Sequence, residues 1–374
     1  MSGETAIQWT HPPGYRGATW NPVVGCRHAS PGCLNCYAEV MARRIATMGT
    51  KPSVRYLQVV KKDAAGAPRA AWNGDFVTVP ELLTAPMETR TPTCWFVNSM
   101  SDLFGEGVSD EYIAAVFAIM AATPHHRYQI LTKRSERLPG WFEWVAKNGF
   151  NHANVGNVLG SCARAELYKI ADELGRNFDN PTARWPLENV HLGVSVENQE
   201  WANKRVGDLI RAPAVVRFLS IEPQLGPVDV DEAVERVTGT RQYGCDGAHR
   251  GSGQPGCPKD LHHHHDSRCR FPIDWVIVGG ESGSGARGFQ VKWIRDILEQ
   301  CHGHGVPVFV KQLGAVPLMD ESEWREMDPR PRLARHDVDG APAGMVTLRL
   351  RDHAKGGDME EWPLDLHVRE FPTV

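Results

Sequence analysis

Apolar positions along the chain fall into short continuous runs, and between them come segments with apolar residues at i, i+3 and i+4. The runs predict strands over Ala18–Val24, Cys94–Ser99, Arg127–Thr132, Val190–Val196, Val215–Ile221, Trp275–Gly279 and Val306–Lys311. The helical spacing predicts helices over Tyr37–Met48, Asp110–Ala122, Ser135–Lys147, Gln199–Ile210 and Val291–Cys301. In the Asp110 segment Tyr112, Ile113, Val116, Phe117 and Met120 define a buried face, and Ser109 or Asp110 can cap its start. Strands alternating with helices imply βαβ units. The predicted fold is therefore α/β, a partial or complete parallel (β/α) barrel with insertions, with a flat doubly wound sheet as the alternative.

Three stretches interrupt this rhythm, at about 51–93, 149–187 and 224–272. They are expected to be insertions, because compact domains rarely hold structureless loops of that length. Residues 1–311 are assigned to the barrel. Residues 312–374 are assigned to a carboxyl-terminal extension, with Trp324 and Trp362 as its anchors.

Parallel α/β folds carry their sites at the carboxyl ends of the strands. Polar residues and glycines gather there in this chain. The second strand leads into Asn98, Ser99, Ser101 and Asp102, and the third into Thr132, Lys133 and Arg134. The fourth gives Ser195, Glu197 and Asn198, the fifth Ser220, Glu222 and Gln224, the sixth Gly279-Gly280-Glu281-Ser282-Gly283, and the seventh Lys311 and Gln312. The glycines would let a ligand approach the backbone, with Glu281 accepting its hydrogen bonds.

Bulk properties narrow the classes. The chain has 374 residues, 41% hydrophobic and 23% charged, with a net charge of −4. No global basic character points to nucleic acid, although a local patch is compatible with it. No apolar run approaches the length of a membrane span, and the first residues lack a signal core, so a cytoplasmic protein with reduced thiols is expected. Nine cysteines in that setting read as metal ligands or free thiols.

Cys26, Cys33 and Cys36 follow the first predicted strand with the spacing C-x6-C-x2-C. Three thiolates this close can converge on one centre. A [4Fe–4S] cluster held by three cysteines keeps one iron free for a ligand. A closed zinc site would want a fourth ligand, which His28 can supply, and buried unliganded thiols are the remaining reading. A second group lies in the third insertion: Cys245, Cys257 and Cys269, with His249 and four consecutive histidines at 262–265. A tetrahedral zinc site is expected there, completed by a histidine such as His262 or His265, with an auxiliary cluster as the alternative.

A three-cysteine loop after the first strand of a parallel barrel resembles the radical S-adenosylmethionine enzymes. Cys33-Leu34-Asn35-Cys36-Tyr37-Ala38 is similar to the end of their cluster loop. Thr132-Lys133 and Val194-Ser195-Val196-Glu197-Asn198 look like segments of the spore photoproduct lyase branch. The whole chain resembles a phage-associated family of unassigned function. The resemblance is carried by Trp20-Asn21-Pro22-Val23-Val24-Gly25-Cys26, Phe309-Val310-Lys311-Gln312-Leu313-Gly314 and Gly356-Gly357-Asp358-Met359. The first cysteine gap is longer than the common C-x3-C-x2-C. Asn98-Ser99-Met100-Ser101-Asp102 stands where a Gly-Gly-Glu-Pro segment is usual.

The resemblance implies a cluster on Cys26, Cys33 and Cys36 that binds S-adenosylmethionine, reductive cleavage of its sulfonium, and hydrogen abstraction by a 5′-deoxyadenosyl radical. It also implies an electron-donor protein. Ser99, Asp102, Ser195 and Glu197, with Lys133 and Glu222 beside them, are the expected cofactor contacts, and Tyr37 is expected to pack nearby. Nucleic acid is the first substrate class to try. Arg43, Arg44, Lys61, Lys62, Arg69, Lys133, Arg134 and Arg137 would form a basic strip, and Trp72, Trp141 and Trp144 would offer stacking surfaces. Two rival functions are a zinc-dependent nucleic-acid-binding or scaffolding protein without catalysis, and a hydrolase using Glu222 and Glu281 as acid and base.

Overall fold

The computed structural model describes residues 4–147, 185–239, 271–327, 330–334 and 341–373. Seven strands form the central sheet. They are β1 (Arg16–Trp20), β2 (Thr93–Val97), β3 (Arg127–Thr132), β4 (Val190–Ser195), β5 (Val216–Ile221), β6 (Trp275–Gly279) and β7 (Val308–Gln312). Their order in the sheet is their order in the chain, and the sheet is a parallel one of half-barrel type, flanked by helices. Every residue of β2 and β6 is buried, as expected of strands covered on both faces.

The main helices are α1 (Tyr37–Ala46), α2 (Ser53–Val59), α3 (Asp110–Ala122), α4 (Arg137–Lys147), α5 (Gln199–Arg211), α6 (Val230–Thr238) and α7 (Val291–Gly303). The α3 cap is Ser109, whose hydroxyl accepts from the Tyr112 amide at 3.2 Å, while Asp110 pairs with Arg137 at 2.6 Å. Helices α2 and α6 lie in stretches expected to be insertions. Helix α6 has its own start and stop signals: Asp229 accepts from the Glu232 amide at 2.7 Å, and Gly239 ends it in the left-handed conformation.

Five strands differ from their expected bounds, three of them by one or two residues and the first two with an evident cause. The first strand ends at Trp20, because Pro22 has no amide to give a ladder. Val23–Val24 instead pairs antiparallel with Val77–Thr78. The second strand ends at Val97, because Asn98 turns to φ 59°. The 51–93 stretch is structured: α2 leads into a hairpin of Val60–Lys62 with Pro68–Trp72.

The chain packs as two compact units. One holds Met1–Val194 and Arg211–Val216, the other Ser195–Ile210 and Arg217–Thr373. The first unit contains a core cluster in which Ala38, Ala42 and Ala46 of α1 meet Tyr56, Val59, Val60 and Trp72. The second unit includes residues 312–373 and a small sheet of Phe289–Gln290, Pro317–Asp320, Met345–Arg349 and Arg332–Leu333. Trp362 is buried there, its indole donating to Gly356 O at 3.0 Å, whereas Trp324 is only partly covered.

Candidate metal centre

The cysteine loop leaves the sheet through a point where only glycine fits. Gly25 has φ +91°, and a Cβ there would stand 2.3 Å from Asp75 O and 2.7 Å from Val59 Cγ1. Gly25 also bridges in parallel to Ser101, beyond the end of β2, and the Ser101 hydroxyl donates to Val23 O at 2.7 Å. Cys33 ends a short turn begun by Pro31, and its sulfur accepts from the Ala29 amide at 3.5 Å. Cys36 is the residue before α1, where the helix dipole favours a thiolate.

Arg134, just past β3, grips this loop. Its guanidinium donates to Arg27 O at 2.7 Å and lies 3.9 Å from Cys26 Sγ. Asp102 fixes the guanidinium at 3.0 Å. Asp102 also accepts from the Thr132 hydroxyl at 2.8 Å and from the Phe104 and Lys133 amides at 3.0 Å each. Both side chains of the ion pair are nearly inaccessible, so solvent screens it little. Asp102, an expected cofactor contact, therefore has both oxygens engaged within the protein: Oδ1 by Phe104 and Thr132, Oδ2 by Lys133 and Arg134.

Electrostatics at the thiols follow from this geometry. Burial pushes the Cys26 thiol up to about 12. Asp102, Cys33 and Cys36 add to the rise, and Arg134 opposes it. Burial also raises Cys36, against the backbone amides of Ala38 and Glu39. Asp102 and the Cys26 sulfur hold Arg134 above its ordinary value, against burial.

Three sulfurs with no carboxylate among them suit a thiophilic metal or cluster. Charge supplied by such a group would relieve the unfavourable ionisation of the thiols, and Arg134 would offset the net negative charge of the thiolates. As they stand, no three His, Cys, Asp or Glu side chains among the described residues are grouped closely enough to hold an ion. His28 Nε2 meets Glu39 Oε1 at 2.9 Å, an oxygen that also accepts from the Trp72 amide at 2.8 Å.

The loop after β2 also meets the segment that carries the cysteines. Tyr37 donates through its hydroxyl to Ser99 O at 2.8 Å. Ser99 Oγ meets Asn21 Oδ1 at 3.2 Å. Asn98 is the unusual member: it is buried, it has positive φ, and neither its amide nitrogen nor its amide oxygen has a hydrogen-bond partner. Its φ lies in the left-handed region that asparagine tolerates, and its buried amide is left unsatisfied. The sequence places it among the polar residues after the second strand but not among the cofactor contacts, because its φ and its unmet amide are invisible in the sequence.

The other expected site residues belong to the second unit or are used internally. Glu197 pairs with Arg205 at 3.0 Å, with both side chains buried, and Arg205 also donates to Ser195 O at 2.8 Å. Glu222 pairs with Lys311 at 3.2 Å. Glu281 accepts from the Arg287 amide and Nε at 2.9 Å each, so its task is to close its own loop. The glycine beside it admits backbone: a Cβ on Gly280 would stand 2.5 Å from Leu313 O. That close approach replaces the expected role in ligand access. Trp72 and Trp141 are core residues and offer no stacking surface, while Arg134 and Arg137 make internal bonds. Cys245, Cys257, Cys269, His262 and His265 lie outside the described residues.

The family profile for proteins of unknown function designated DUF5131 matches residues 4–357. The chain belongs to this family. Searches of curated proteins and of solved structures gave no match. Among the described residues, no helix is long and apolar enough to cross a membrane.

Proposed function

We propose that this member of the DUF5131 family is an iron–sulfur enzyme of the radical S-adenosylmethionine kind. Cys26, Cys33 and Cys36 would hold a [4Fe–4S] cluster, and S-adenosylmethionine would be its cosubstrate. The observation that carries this reading is the three-thiol loop, which follows the first strand of a parallel half-barrel and is held by a buried arginine 3.9 Å from one sulfur. When bound, such a cluster supplies the electron that cleaves the sulfonium to a 5′-deoxyadenosyl radical.

The chain's own residues then have separate tasks. Arg134 fixes the loop through Arg27 O and balances thiolate charge at Cys26. Asp102 holds Arg134 in place. The Asn98 side-chain amide, whose NH2 and carbonyl are both unmet, is suited to the methionyl carboxylate and amine. Tyr37 ties the start of α1 to the Ser99 carbonyl and so couples the last cysteine to that loop.

The test is anaerobic reconstitution followed by iron and sulfide analysis and assay of S-adenosylmethionine cleavage. About four irons per chain at this site, lost in Cys26→Ala, Cys33→Ala and Cys36→Ala, is the expected result. Release of 5′-deoxyadenosine under dithionite should accompany it. Zinc without sulfide, or a cluster that survives all three substitutions, would overturn the reading.

A further inference from the structure

Helix α1 is turned the opposite way from an ordinary surface helix. It buries the small side chains Ala38, Ala42 and Ala46 and leaves Tyr37, Val40 and Met41 exposed. Six of the seven exposed large hydrophobic side chains among the described residues fall between 34 and 54: Leu34, Tyr37, Val40, Met41, Met48 and Val54, each 41–65% exposed. Positions 37, 40, 41 and 44 share one helical face, and Met48 lies two residues past the helix end. Scattered surface hydrophobics are normal, but a continuous stripe is a sign of an interface.

The surroundings of the stripe have a definite charge. Residues 27–72 contain eight Lys and Arg against two Asp and Glu, in a chain whose net charge is −4. Arg43, Arg44, Lys61, Lys62 and Arg69 are all exposed. Tyrosine, methionine and arginine on one face are the residue types enriched at protein–protein contacts. Methionines also let such a face adapt to a partner's shape.

We propose that the outward face of α1, together with Leu34 and Val54, is the docking surface for an acidic protein partner that covers the rim of the cysteine loop. Charge selects this occupant. A second copy joined about a two-fold axis would set the same basic patch against itself. Nucleic acid would be drawn by the arginines and lysines, but the stripe is mainly aliphatic, Tyr37 is its single aromatic side chain, and Trp72 is buried. A lipid surface would call for the Trp, Phe and Leu content of an interfacial helix, and only Leu34 is of those types. The inference does not depend on a cluster being present.

The experiment uses the full chain and four probes. These are a synthetic amphipathic peptide with a leucine face flanked by glutamates, the same peptide with lysines, a single-stranded oligonucleotide, and phosphatidylglycerol vesicles. Fluorescence anisotropy at low and high salt gives affinities, and peroxide oxidation of Met41 and Met48, read by mass spectrometry, reports coverage. The glutamate peptide should bind, weaken with salt and protect both methionines. Met41→Glu and Arg44→Glu should each weaken it about ten-fold while leaving circular dichroism unchanged. Equal binding of the lysine peptide, no binding of the glutamate peptide, or preferred binding of the oligonucleotide or vesicles would overturn the proposal. So would protection of both methionines in the free chain, since the face would then be covered by the chain itself or by a second copy.

Discussion

The Arg134 guanidinium lies 3.9 Å from the Cys26 sulfur. It joins a residue just past the third strand to a loop 108 positions earlier, and its other contacts make it a clamp. A buried cation beside a thiol favours the thiolate, while burial and Asp102 oppose it. The balance at Cys26 comes out on the side of the neutral thiol.

Arg134→Gln should destabilise the fold by about 3 kcal/mol, because buried Asp102 would lose its cation and keep only the Thr132, Phe104 and Lys133 donors. Arg134→Gln combined with Asp102→Asn should recover part of that loss. Urea unfolding of the two single variants and the double variant measures the coupling. A loss for Arg134→Gln within experimental scatter would show that the clamp contributes nothing.

Cys26 should react slowly with iodoacetamide in metal-free protein at pH 8, since its thiol is pushed up to about 12. Its reaction should quicken as pH rises toward that value. The folded-state value is raised above the unfolded one, so the stability this group contributes is present below about pH 8.5–9 and is lost as pH rises toward 12. Cys26→Ser should flatten that alkaline decline. Labelling at Cys26 as fast as at an unfolded control would contradict the burial argument.

His191 on β4 is fully buried, neither ring nitrogen has a hydrogen-bond partner, and burial lowers it to about 3. The unfolded chain takes up the proton near pH 6.5, and the folded chain does not until about 3. Stability from this group is therefore lost as pH falls from 6.5, by ~2 kcal/mol at pH 5. His191→Leu should reduce the acid sensitivity. Unfolding curves at pH 7 and pH 5 decide it, and an unchanged difference between the two would refute the assignment.

Gly25→Ala should cost at least about 2 kcal/mol, from φ +91° and a Cβ placed 2.3 Å from Asp75 O. The strain falls on the residue before Cys26, so metal content after reconstitution should drop as well. Normal stability together with normal metal content would mean that the loop relaxes at no cost.

The sequence by itself determined the layering of this protein. All seven strands of the sheet lie where short apolar runs predicted them, and Arg127–Thr132 and Trp275–Gly279 match end for end. That much is local: a strand buried on both faces must be continuously apolar, and βαβ connectivity follows from the alternation. The proximity of the cysteines was also local, because a 3-10 turn and a helix start only bring together residues already close in the chain.

Tertiary structure alone decided what surrounds them. Asp102, Arg134 and Cys26 meet only because neighbouring strands of a parallel sheet end side by side, and no spacing rule encodes that pairing. Asp102 and Glu197 looked like cofactor contacts because a buried ion pair and a ligand-binding carboxylate have the same sequence signature. Helix α1 is the sharpest case. Periodicity shows that a helix has two faces, but not which one is covered. Here α2 and the hairpin of Val60–Lys62 with Pro68–Trp72 pack on the alanine side, where small residues permit close approach, and the larger apolar side chains are left facing outward.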